Sequence, residues 1–195
     1  MTTLLVGNPS VLAIESSINQ AYERLSQRAL GFFVIYIEGR SYGVRSPDAT
    51  LLACSFDAVQ RRIARRGLHV AFFGSNPDAI KIVNAVRATR YDESRQEESF
   101  FGLTADEFRD TLESHEIVWA PDGDAAFDDG GHVLQFDEST RVRLIGFMNM
   151  KEQEGVRRTL TDAWINADDF YELLDDWQKR FEAEWTAAQK MKAAR

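Results

Sequence analysis

The stretch Trp119-Ala-Pro-Asp-Gly-Asp-Ala-Ala-Phe-Asp-Asp-Gly-Gly-His-Val-Leu-Gln-Phe-Asp137, with the run Arg141-Val-Arg-Leu-Ile-Gly-Phe-Met148 behind it, decides the fold class. His132 to Phe136 reads as a strand, and Arg141 to Met148 alternates in the manner of a second strand pairing beside it. Glu116-Ile-Val-Trp119 leads in from the other side, so the residues between are a loop held between two strands. This loop and its exit carry Asp122, Asp124, Asp128, Asp129 and Asp137 without one Lys or Arg. Five carboxylates repel one another, and glycines let the backbone turn sharply among them. The segment therefore needs a cation, which can be a metal, a basic partner or counterions in water.

Toward the N-terminus, Val11 to Ile18 and Gly31 to Glu38 are rich in β-branched and aromatic residues and read as antiparallel neighbours. A turn at Glu38-Gly-Arg-Ser41 leads to Tyr42-Gly-Val44, and Ser46-Pro-Asp48 is a second turn, which together give a β-meander. Thr50 to Cys54 reads as a short strand, with Ser55 as N-cap of a helix whose stripe is Phe56, Val59 and Ile63 and whose end is Gly67. Asn76 before Pro77 reads as the N-cap of a second helix running to Thr89, with an apolar face at Ile80, Val83, Ala85 and Val86. Thr104 and Glu107 have capping-box spacing, predicting a short helix over Ala105 to Leu112.

The C-terminal third reads as helical. Asn166 caps a helix with Asp168 and Asp169 in its first turn and Lys190 and Lys192 near its end. Phe170, Leu174, Trp177, Phe181 and Ala188 share one face, with Leu173 and Trp185 beside them. The expected architecture is α+β: a mainly antiparallel sheet, made of an N-terminal meander and a central hairpin, covered by helices and closed by a long C-terminal helix. A single domain over residues 1–195 is expected.

With 195 residues, 44% of them hydrophobic, the chain can bury one good core. Its formal charge of -8 argues against a nucleic-acid binder and suits a basic partner or plain solubility. The single cysteine, Cys54, cannot form an internal disulfide. The first residues lack a signal-peptide pattern, and no apolar run approaches the roughly 18 residues that a membrane span requires. A cytoplasmic protein with no membrane role is expected.

An EF-hand frame with Asp122 and Asp124 at positions 1 and 3 places Ala126, Phe127 and Val133 where Asp or Asn, Gly and Glu are required, and so fails. A different divalent-metal site using Asp122, Asp124, Asp128 or Asp129 stays open. His69, His115 and His132 lie far apart in no metal-ligand spacing, although His132 near Asp129 can form a charge-assisted pair. No nucleophile elbow, phosphate loop or dinucleotide fingerprint is present, so neither catalytic residues nor a cofactor is expected. Arg61, Arg62, Arg65 and Arg66 form the one basic cluster, suited to a solvated helix face or to pairing with the acidic loop. The stripe of Phe170, Trp177, Phe181 and Trp185 suits a core or a partner groove.

Val6-Gly-Asn-Pro-Ser10 with Ala13-Ile-Glu15, Gly31 and the strand after it, Tyr42-Gly-Val44, Pro47-Asp-Ala-Thr-Leu-Leu52 and the Trp119–Asp137 segment resemble the immunity protein 42 family of bacterial polymorphic-toxin systems. The resemblance implies a small cytoplasmic protein that binds and neutralises a cognate secreted toxin. It carries over no contact residues. The charge of the chain fits a basic toxin, and the residues expected at the contact are Asp122, Asp124, Asp128 and Asp129, with Phe127 as an apolar anchor. A metal-dependent enzyme built on the acidic loop and a scaffold that self-associates through the C-terminal helix are the alternatives, and the oligomeric state is left open.

Overall fold

The computed structural model describes residues 3–74, 76–92, 94, 98–120 and 125–193. The first sheet contains the expected meander of β2 (Leu12–Ala21), β3 (Ala29–Ile37) and β4 (Arg40–Tyr42), although β4 begins at Arg40 rather than Tyr42, and the short strand expected over Thr50–Cys54 is confined to β5 (Thr50–Leu51), which also pairs with β3. One strand was not foreseen: β1 (Thr3–Asn8) pairs antiparallel with β2, with Val6 opposite Ile14. Leu4 and Val6 point into the core while Leu5 stays exposed, the alternation that a half-buried edge strand requires.

The second sheet grows from the expected hairpin. Strands β9 (Gly131–Glu138) and β10 (Arg141–Met148) pair antiparallel, flanked by β8 (Val118–Ala120) and β11 (Thr161–Asn166), in the order β11-β10-β9-β8. This sheet is buried on both faces. Val133, Val142 and Leu144 face one core, and Leu134, Phe136, Ile145 and Phe147 face another. The first core is shared with the N-terminal sheet, α1 (Leu52–Ala64) and α5 (Ala167–Ala193). The second is covered by α2 (Ala79–Tyr91), α3 (Ala105–Ser114) and α4 (Gln153–Thr159), with a small hairpin of β6 (Ser99–Phe100) and β7 (Leu103–Thr104).

The capping box at Thr104 and Glu107 forms as expected, and Asn166 Oδ1 accepts from the Asp168 backbone N–H at 2.8 Å. Three local expectations are corrected. Ser55 is no N-cap: Leu51 holds that position four residues earlier, because Leu52 belongs to the helix and is fully buried, and Ser55 lies buried within the helix. Asn76 does not cap α2; Asp78 occupies that position, and the Asn76 side chain instead accepts from Arg143. The C-terminal third is not wholly helical, since β11 adds an edge to the second sheet through the alternation of Thr161, Ala163 and Ile165 inward.

Tyr42 pins the two sheets together. Its ring lies over Gly146 of β10, where a Cβ would stand 2.4 Å from Tyr42 Cζ, and its hydroxyl donates to the Thr159 carbonyl at 2.8 Å. Burial pushes that hydroxyl up to about 12. Gly146→Ala should therefore lower stability by about 1–3 kcal/mol through overpacking, read as a lower urea midpoint, and shortening the neighbour in Gly146→Ala/Tyr42→Leu should restore part of it. The unfolded chain loses the tyrosine proton near 10 and the folded chain near 12, so Tyr42 stabilises fully below pH 10 and progressively less up to 12. Roughly 2–3 kcal/mol should vanish over that window, and Tyr42→Phe should flatten the fall in urea titrations.

Candidate recognition surface

The described part of the acidic loop, from Ala125 on, has a buried base. Ala125–Phe127 forms a 3-10 turn in which Ala126 and Phe127 are buried and Phe127 meets Phe33 edge to face at 6.2 Å. Val44 N–H donates to the Ala126 carbonyl at 2.8 Å, tying the turn to the end of the meander. Phe127 is thus a core residue rather than an exposed anchor. Burying the ring gains more than leaving it in water while the loop waits for a partner.

Asp128 and Asp129 are exposed. The Asp129 carboxylate accepts from Gly131 N–H at 2.9 Å and from Gly43 N–H at 3.2 Å. Gly43 sits at φ +120°, and a side chain there would collide with the Phe33 carbonyl, so glycine lets the two segments approach. Asp122 and Asp124 lie outside the described residues. His132 does not pair with Asp129: its ring bonds the Gly130 carbonyl at 3.0 Å and the Tyr91 hydroxyl at 2.8 Å and stacks on Phe147.

Asp137, the fifth carboxylate of the stretch, is not part of the loop. It is buried on β9, accepting from Gly67 N–H at 2.7 Å, Tyr171 Oη at 2.8 Å and Gln135 Nε2 at 3.0 Å. Burial and the bonded carboxylate hold the Tyr171 hydroxyl well above its ordinary range. Among the described residues, the basic cluster at the end of α1 does not pair with the acidic loop either. Arg66 pairs with Asp168, Arg65 bonds the Ser114 carbonyl and lies 3.7 Å from Glu116, and Arg62 is buried against Gln135 and the Glu116 carbonyl.

A second acidic feature escaped the sequence reading. Asp169, Glu172, Asp175 and Asp176 line a groove of about 440 Å³ between α5 and β1, with Val6, Gly7 and Leu173 as its apolar wall. Asp175 and Asp176 are already engaged by Lys179 and Arg180 one turn on. The helical spacing was visible in the sequence, but the groove depends on β1, whose strand signal is short. Among the described residues no three His, Cys, Asp or Glu side chains converge as metal ligands, and no helix is long and apolar enough to cross a membrane. The stripe of Phe170, Trp177, Phe181 and Trp185 is core, not groove.

The crystal structure of CdiI from Burkholderia dolosa has a similar fold, with a TM-score of 0.55 at 14% identity over 91% of this chain and 99% of that one. No curated relative matches the chain. The sequence pattern of the immunity protein 42 family matches residues 1–180, nearly the whole length, and the chain belongs to that family.

Proposed function

We propose that this immunity protein neutralises a basic cognate toxin by direct binding, with Asp122, Asp124, Asp128 and Asp129 at the contact and Phe127 fixing the loop from beneath. The observation that carries the reading is a loop of carboxylates with no cation of its own, mounted on a buried turn and belonging to an immunity protein. A buried base at Ala126 and Phe127 holds Asp128 in place before contact, which spares that residue the entropy of ordering. Opposite charge on the toxin speeds encounter, which matters when the toxin must be caught before it acts. The protein acts by occupancy in the cytoplasm, without a cofactor, nucleic acid or membrane, and its 195 residues work as one domain whose shared core runs from Leu4 to Trp185.

Copurification with a candidate cognate toxin tests the pairing directly. Asp122→Asn, Asp124→Asn and Asp128→Asn combined should slow association about tenfold or more at low salt and flatten its dependence on ionic strength; an unchanged rate and slope in stopped-flow mixing would remove the acidic contact. Asp129→Asn belongs in a separate variant because its carboxylate also holds Gly43 and Gly131. Phe127→Ala should cost about 3–5 kcal/mol of stability by leaving a cavity, measured by denaturant unfolding without toxin. A Phe127→Ala protein as stable as the parent but weak in binding would return that ring to the contact surface.

A further inference from the structure

A groove of about 440 Å³, lined from α1, α2, α3 and β8, holds three guanidiniums, those of Arg61, Arg62 and Arg90. Arg62 is 4% exposed and among the described residues bonds only neutral acceptors, the Glu116 carbonyl at 3.1 Å and Gln135 Oε1 at 3.0 Å, while its cation lies 5.2 Å from the Trp119 ring. Its Nε is buried without an acceptor among the described residues, and so is the Nε of Arg90. Burial pulls the Arg62 guanidinium down to about 9, which still leaves it charged at neutral pH. Asp57, Glu113 and Glu116 also line the groove, but among the described residues none comes within ion-pair distance of these three arginines; Glu116 leans toward Arg65. A buried cation without a bonded counter-charge is costly, and so is a buried N–H without an acceptor. An anionic group entering the groove relieves both.

Leu112, Val118 and Trp119 give the groove apolar walls, so a bare ion would leave much of it wet, whereas a side chain ending in a carboxylate covers the walls and meets the cations. The wall formed by β8 ends at Ala120, and the acidic segment follows it in the sequence, so the groove and the proposed contact are neighbours along the chain. We infer that this groove receives an acidic side chain of the cognate toxin, its carboxylate meeting the guanidiniums of Arg62 and Arg90. The inference rests on the proposed function and adds to it a contact of opposite sign. Guanidinium N–H groups that lack acceptors at one fixed point set the register of the toxin and reject proteins that bring no acid to that point.

Cys54 is exposed, lines the groove and is the sole cysteine, so the native protein reports on occupancy. Excess toxin should slow alkylation of Cys54 by N-ethylmaleimide about tenfold or more, inorganic phosphate or acetate in millimolar excess should leave the rate unchanged, and Arg90→Gln should weaken toxin binding about tenfold (about 1.4 kcal/mol). Arg90→Lys should retain part of the affinity. Tight toxin binding with Cys54 reacting at its free rate would overturn the socket and leave the immunity reading intact. No toxin binding at all would overturn both. Protection by phosphate or acetate alone would make the occupant a free anion and overturn the assignment to a toxin side chain. A melting curve identifies an Arg90 variant that fails to fold, in which case the alkylation of the native protein decides alone.

Discussion

Trp177, fully buried at the middle of α5, is the point through which the N-terminal sheet, α1 and α5 share one core. Its ring lies 5.1 Å from Phe33 of β3 and 6.3 Å from Phe56 of α1 and stacks on Phe181 at 5.2 Å, while its Nε1–H donates to Ser16 Oγ of β2 at 3.0 Å. A large ring with one polar tip can do this only if the tip finds an acceptor inside the core, and Ser16 supplies it. One turn and a half earlier, Tyr171 of the same helix donates to Asp137 of β9, so α5 also grips the second sheet. The helix is a wedge between two sheets, each of which would otherwise leave an apolar face in water.

The second sheet pays for its two-sided burial with internal pairing of every polar side chain that it carries inward. Gln135 is bonded to Arg62, Asp137 and Tyr171; Arg143 on the opposite face is clamped by both oxygens of Asp162 at 2.7 and 2.8 Å. Breaking one partner leaves the other desolvated, which makes such networks stiff. That stiffness sets where recognition can happen. Asp137 and Asp129 are spent on structure or partly so, whereas Asp128 stands exposed on a turn whose neighbours Ala126 and Phe127 cannot move without opening the core.

Much of the architecture was legible because it rests on short-range periodicity. The runs Val11–Ile18 and Gly31–Glu38, the hairpin around Arg141–Met148, the Thr104–Glu107 capping box and the aromatic stripe from Phe170 to Trp185 each declare themselves within a few residues. Strands β1 and β11 were hidden for a physical reason. Thr3–Asn8 buries only Leu4 and Val6, and Thr161–Asn166 runs directly into the capped start of α5, so Asn166 reads as a helix entry. Ser55 and Asn76 have the chemistry of caps, but their surroundings decide otherwise: one is buried beside Phe56 and the other is claimed by Arg143 across the fold.

The sequence by itself determined the sign of the protein, the antiparallel α+β class, the amphipathic closing helix and a carboxylate loop between two strands, because composition and local spacing carry these properties. Only the tertiary structure decided which charges are free. Asp137 and Asp128 look alike in the chain, yet one accepts three hydrogen bonds in the interior and the other faces water. Arg62 on α1 and Arg66 just past its end look alike in the chain, yet one is buried against neutral acceptors and the other pairs with Asp168. Those differences depend on partners brought together from remote positions, such as Trp177 and Ser16, 161 residues apart. Burial sets the strength of each charge, and burial is a property of the packed fold rather than of any local spacing.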